Sequence, residues 1–244
     1  MPDNLIIYGT GNGLIKILNI ETAQCIQTIN AHANIINNIL LMSNKTFLTC
    51  SQDGTIKYFD LDTFDCIRTF NGHSHSVYSI NKISTDKFVS TSLDRTIRIW
   101  SMNKSKCLKV IEADSCRNLI VISDKIIISH KGKSLFIWNV KTGTKTGEIE
   151  INDQYVMSFI KLTSTKIATG HKNGSIKIWD ITTQKCLQTI EKVDFSYLAK
   201  LSNSLILIGN NSSIQMLDIN TGNCIKSLQS QTKIDLETIG FDLF

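Results

Sequence analysis

The chain has 244 residues, 42% of them hydrophobic and 19% charged, with a formal net charge of +5. This composition excludes a disordered polypeptide and leaves room for one large domain or two small ones. The positive excess comes almost entirely from scattered lysines, since only four of the 26 basic residues are arginine, which argues against nucleic acid as a partner.

The predicted elements begin with Met1–Thr10, which reads as the end of one strand followed by a second strand. Met1-Pro2-Asp3-Asn4 carries no basic region leading into an apolar stretch, so no secretory signal is expected. A segment of the form Thr/Ser-Ile-Lys-Ile-Trp-Asp then recurs, with its inner apolar residue at Ile15, Ile56, Ile97, Leu135, Ile176 and Ile214. The spacings are 41, 41, 38, 41 and 38 residues, and the return from Ile214 through the C-terminus to Ile15 is 45. Six units therefore occupy the chain, and self-similarity at such a period marks stacked or radial repeat architectures.

The third unit shows the layout of one repeat. Strands are predicted over Val77–Ile83, Lys87–Thr91, Thr96–Trp100 and Lys106–Ile111, with a tight turn at Leu93-Asp94-Arg95. Ile97 and Ile99 face one side and Arg98 and Trp100 the other, the period of two that defines a strand. In the fourth unit Lys125–Ser129 is apolar on both faces, as expected of a strand sandwiched between neighbouring sheets. No segment has helical periodicity. At the end of the chain, Ile239–Phe244 joined to Met1–Gly13 makes a run of 19 residues, matching Ile36–Gly54 of the second unit. Ile234–Phe244 is therefore expected to supply the innermost strand of the first unit.

These elements predict an all-β, six-bladed β-propeller of four-stranded antiparallel blades, with the ring closed by the C-terminal strand joining the N-terminal blade. Pro2 is the sole proline, no Gly/Ser-rich linker interrupts the chain, and no apolar run reaches the ~18 residues that span a bilayer. A single domain over 1–244, cytoplasmic and without membrane contact, is the expectation. Five of the seven cysteines (Cys25, Cys66, Cys107, Cys186 and Cys224) each lie seven residues after the aromatic or Leu that ends an apolar segment. Equivalent positions in successive units lie too far apart for a disulfide. No CxxC pair or His/Cys cluster has metal spacing, so these cysteines are expected to be small, buried and reduced, with no metal and no cofactor.

The repeats resemble the WD40 family along the whole chain. Trp100, Trp138 and Trp179 stand at the Trp of the Trp-Asp dipeptide, completed once by Asp180, with weaker versions at Phe59-Asp60, Leu217-Asp218 and Leu18-Asn19. Gly72-His73 matches the Gly-His dipeptide, Ala31-His32 approximates it, and the turn aspartate is present at Asp53 and Asp94. The resemblance implies a buried tetrad in the third blade made of His73, Asp94, Trp100 and either Ser90 or Ser92. In the second blade it implies His32, Asp53 and Thr49 or Ser51, with Phe59 unable to donate as an indole would. The wording of residues 86–100 is similar to the propellers of F-box substrate receptors; no F-box region is visible, so such a role would need a separate partner.

No catalytic constellation stands out. Gly9–Gly13 (Gly-Thr-Gly-Asn-Gly) leads into a strand rather than a helix, so it reads as a tight turn and not a phosphate loop. The family resemblance implies a non-enzymatic scaffold or adaptor that binds partner proteins or peptides at one end of the blades, itself monomeric within a larger complex. Two features are candidate contacts there. His130-Lys131 and His171-Lys172 occupy the same phase in the fourth and fifth units, with Lys133 beside the first pair, and read as turn residues of an anion-receptive patch. His75, Tyr78, Tyr155 and Met157 lie near the entrances of first strands, and Tyr and Met are enriched at interfaces. The alternative is a regulatory subunit or a small-molecule-binding propeller using the central channel. The first strands, mostly Asn, Ser and aliphatic, do not favour it.

Overall fold

The computed structural model describes residues 4–114, 116–151, 155–191, 197–209 and 213–229. All the regular structure there is β-strand, in six antiparallel sheets whose strands follow one another in chain order. The first sheet holds β1 (Leu5–Gly9), β2 (Leu14–Asn19) and β3 (Cys25–Asn30). The second is β4 (Ile36–Ser43), β5 (Thr46–Ser51), β6 (Ile56–Asp60) and β7 (Cys66–Phe70), and the third is β8 (Val77–Lys82), β9 (Lys87–Ser92), β10 (Thr96–Ser101) and β11 (Lys106–Glu112). The fourth is β12 (Leu119–Val121), β13 (Ile126–Lys131), β14 (Ser134–Asn139) and β15 (Lys145–Glu150), and the fifth is β16 (Val156–Lys161), β17 (Lys166–His171), β18 (Ile176–Asp180) and β19 (Lys185–Ile190). The sixth is β20 (Tyr197–Lys200), β21 (Leu205–Gly209), β22 (Ser213–Asp218) and β23 (Cys224–Gln229). These are the blades of an all-β, six-bladed propeller. The strand expected over Ile234–Phe244 lies outside the described residues.

The chain forms two compact units, Met1–Leu119 with Val140–Thr144, and Ile120–Asn139 with Lys145–Phe244. Within each unit the core lies between blades rather than inside them. In the first unit, Ile15, Ile17 and Ala31 of the first blade and its exit pack with Phe47, Phe59 and Leu61. Met42, Leu48, Cys50 and Ile56 pack with Ile80, Phe88 and Trp100 of the third blade. In the second unit, Ile128, Leu135 and Ile137 pack with Phe159, Ile167 and Trp179, while Ala168, Ile176 and Ile178 pack with Ile206, Ile208 and Leu217. Second strands such as β5, β9 and β17 are buried on both faces for this reason. Each fully buried Ile, Leu or Phe contributes about 1.5–3 kcal/mol, so the layers between blades dominate stability. Lysines at the ends of first strands tie neighbours together, with Lys82 Nζ donating to the Met42 carbonyl (2.6 Å) and Lys161 Nζ to that of Ile122 (2.6 Å).

The repeated cysteines are not buried, contrary to the expectation. Cys25, Cys66, Cys186 and Cys224 are exposed and Cys107 is half-buried; only Cys50 and Cys116 are core residues, and all seven are free thiols. The recurring position lies on the outermost strand, paired with the aromatic or Leu of the third strand immediately after a register shift, as at Trp100 with Cys107 and Trp179 with Cys186. The thiol donates to the carbonyl two residues on, as Cys107 Sγ does to Lys109 O (3.2 Å). The fourth blade has the same shift with Lys145 in that place, so the position is an exposed bulge rather than a core pocket. The bulge also blunts an unpaired edge that would otherwise invite strand addition.

One buried polar group in these layers is not satisfied. Thr91 on β9 is 0% exposed, and its Oγ1 has no hydrogen-bond partner among the described residues. Burying a hydroxyl without a partner costs about 1–3 kcal/mol. Thr91→Val is therefore expected to raise stability by about 1 kcal/mol, seen as a melting temperature higher by about 2–4 °C. A lower melting temperature would show that the hydroxyl has a stabilising partner.

Candidate functional site

In the third blade, the second strand, its following turn and the loop before the first strand converge on one hydroxyl. Trp100 Nε1 donates to Ser90 Oγ (2.8 Å), and His73 Nε2 bonds the same oxygen (2.7 Å). On its other side, His73 Nδ1 lies 2.7 Å from Asp94 Oδ2. An ionised carboxylate only accepts, so Nδ1 carries the proton and Nε2 accepts from the Ser90 hydroxyl. Thr96 Oγ1 and the Ser74 amide also donate to Asp94 (2.7 and 3.1 Å). Burial pushes the Asp94 carboxyl up, but hydrogen bonds from Thr96 and His73 outweigh this and bring it down to about 2. Burial lowers the His73 pKa despite Asp94. Ser92, the alternative at this position, instead donates to the His75 carbonyl (3.0 Å) and ties the entrance loop to the turn. The second blade repeats the arrangement with His32, Asp53 (2.9 Å) and Thr49 (2.7 Å), while Phe59 stacks on Phe47 with centroids 5.2 Å apart.

His171 differs from its expected place. It is the last residue of β17, 1% exposed, not an exposed turn residue. Its Nε2 lies 2.8 Å from Thr169 Oγ1, the oxygen that accepts from Trp179 Nε1 (2.7 Å). β17 continues past the predicted turn because His171 pairs with Val156 of β16. His130 ends up half-buried, edge-on to Phe159 with centroids 5.1 Å apart, next to Ser129, which accepts from Trp138 Nε1 (2.9 Å). Neither histidine belongs to an open surface patch.

The lysines do. Lys131, Lys133 and Lys172 are all exposed at the end of the fourth and fifth blades. Backbone bonds draw their turns together: Val156 N–H donates to Gly132 O (3.3 Å) and Lys172 N–H to Tyr155 O (3.1 Å). The Tyr155 ring comes within 3.9 Å of where a Cβ on Gly132 would be. Tyr155 is 57% exposed and Met157 54%. Met157 is the extra residue of a bulge between Val156 and Ser158. Tyr197, at the start of β20, is 41% exposed, and the amide of the next residue, Leu198, donates to Ser158 Oγ (3.2 Å).

In the first unit, His75 is exposed and Tyr78 half-buried at the entrance of β8. Arg117 lies over the Tyr78 ring, 5.6 Å from its centroid, a contact no sequence spacing marks. Among the described residues no group of three His, Cys, Asp or Glu side chains is placed to hold a metal ion, and no helix is long and apolar enough to cross a membrane.

Two outcomes follow for the histidines. His73→Ala and His171→Ala should each cost about 1–3 kcal/mol by removing the histidine partner of a buried hydroxyl, and should melt lower than wild type by similar amounts. A His171→Ala variant melting like wild type would remove it from the network. Because His32, His73 and Asp94 all have lowered pKa values, the unfolded chain binds more protons in acid. Stability is expected to fall as pH drops below the ordinary histidine value of 6.5, and again between 3.8 and about 2. Melting temperatures from pH 7.5 downward test the sign.

The WD domain, G-beta repeat family model matches residues 23–60 and 64–101. Each match begins at the outer strand of one blade and runs through the first three strands of the next, so the sequence repeat straddles the structural one. A search of curated proteins finds no match. The two matched repeats and six sheets of one layout support a β-propeller built of WD40 repeats.

Proposed function

We propose that this propeller is a non-enzymatic protein-interaction platform, and that the end of its fourth and fifth blades takes an acidic or phosphorylated segment of a partner protein. One observation supports the reading: the turns that carry the exposed Lys131, Lys133 and Lys172 bond to the backbone at Val156 and Tyr155, next to an exposed Tyr and Met. Exposed ion pairs are individually worth ~0–1 kcal/mol, so affinity needs several cations plus an apolar anchor. Tyr155 and Met157 provide that anchor, and the lysines provide the charge.

Binding of an acidic peptide, measured by fluorescence anisotropy, is expected to weaken with added salt. Lys131→Glu/Lys172→Glu should weaken it by at least about tenfold, equivalent to ~1.4 kcal/mol, with the melting temperature unchanged. Tyr155→Ala should weaken it as well. A double charge reversal that binds as tightly as wild type would place the binding surface elsewhere.

A further inference from the structure

All four arginines lie between residues 68 and 117 of a chain otherwise dependent on lysine for positive charge. Two are committed to packing. Arg68 donates to the Met102 carbonyl, and the Arg98 guanidinium fills the space beside Gly72, 3.1 Å from where a Cβ would stand. The other two, Arg95 and Arg117, are exposed. Backbone bonds bring their segments to the same end of the third blade: Ala113 N–H donates to Arg95 O (2.9 Å) and Leu93 N–H to Ser76 O (2.9 Å).

Arg117 is held over the Tyr78 ring. Tyr78 is the extra residue of a bulge between Val77 and Ser79, a device that re-aims side chains beside functional sites. A guanidinium stacked on a ring is pre-organised and keeps its planar fork of donors for a carboxylate or phosphate. Arg95 stands in the turn between second and third strands with φ of 66°. The corresponding residues of the first, second and fifth blades are Gly13, Gly54 and Gly174, all with positive φ. The turns between third and fourth strands carry Ala23, Phe64, Ser105 and Gln184 in the same region, so the strain is tolerable and does not alone mark a site. Here the exception is a long cation, and the carboxylate beside it, Asp94, is turned onto His73 and Thr96. His75 is exposed at this end too, and Glu112 and Asp114 are its other acidic residues.

We propose that this end of the third blade is a second recognition patch, which binds an anionic side chain of a protein partner. Arg117 on Tyr78 makes the bidentate contact and Arg95 adds charge. The patch goes beyond the lysine site of the fourth and fifth blades and does not depend on it.

The test uses two fluorescent peptides, one bearing glutamate and one phosphoserine at the same position, titrated by anisotropy against the full chain. Arg117→Ala should weaken binding about tenfold, and Arg117→Lys, which keeps the charge and loses the fork, about threefold. Arg95→Gly should weaken binding about threefold while melting at or above the wild-type temperature, since glycine suits a left-handed turn. Tighter binding of the phosphoserine peptide identifies phosphate as the anion, and tighter binding of the glutamate peptide identifies a carboxylate. A folded Arg95→Gly/Arg117→Ala variant that binds both peptides like wild type overturns the proposal. If Lys131→Glu/Lys172→Glu alone abolishes binding, the lysine site stands without this one.

Discussion

A four-stranded sheet with apolar residues on both faces cannot be buried by itself, and this constraint underlies the rest of the molecule. Phe47 and Leu48, or Phe88 and Val89, are adjacent residues that point to opposite faces of one strand and are all buried. Within each unit the requirement is met by laying the next sheet against the first, which makes the layers between blades the core. The faces are consumed in this way. The outer edges are guarded by a bulge and, in most blades, by lysines, which discourage strand addition. What remains open to variation is the blade ends, where the turns and entrance loops lie.

The second constraint is local and polar. A Trp on the third strand buries an indole N–H, and the second strand supplies the oxygen that accepts it: Ser90, Ser129 or Thr169. That hydroxyl in turn needs a partner, because a buried polar group left unmade is expensive. The histidine that supplies it arrives by two routes. His32 and His73 come from the loop before the first strand and also engage the turn aspartate, so they fasten the entrance loop to the turn. His171 comes from two residues further along the same strand and meets the same need without reaching the loop. The fifth blade thus keeps the inner half of the network. Its turn is completed by Asn173, which accepts from the Ser175 hydroxyl (2.8 Å) where Asp94 accepts from Thr96.

This difference explains what could be read in the sequence and what could not. The repeat period, the blade count and the doubly buried second strands were legible because they depend on spacing and alternation along one chain. The His73 constellation was legible through family resemblance. The burial of His171 was not, because it depends on whether β17 stops at Gly170 or runs one residue further to pair with Val156, a choice made by the neighbouring strand. The cysteines were misread for a related reason. Their recurrence was real, but a recurring small residue signals a recurring geometry, and here that geometry is an outer-strand bulge rather than a core pocket. Arg117 was missed because it meets Tyr78 through folding of segments about 40 residues apart, with no periodic mark.

The bulge at the start of the first strands shows how such a frame accommodates recognition. Asn37, Tyr78 and Met157 are equivalent residues, each the extra residue between two paired ones. Asn37 spends its amide on the Val77 carbonyl (2.7 Å) and serves as a tie between blades. Tyr78 is half-buried and holds a guanidinium, whereas Met157 is left in solvent beside Tyr155. The backbone pays nothing extra for these differences, since the bulge is already present and its side chain already leaves the sheet. Surface chemistry can therefore change blade by blade at this position while the layers between blades, and with them most of the stability, stay the same.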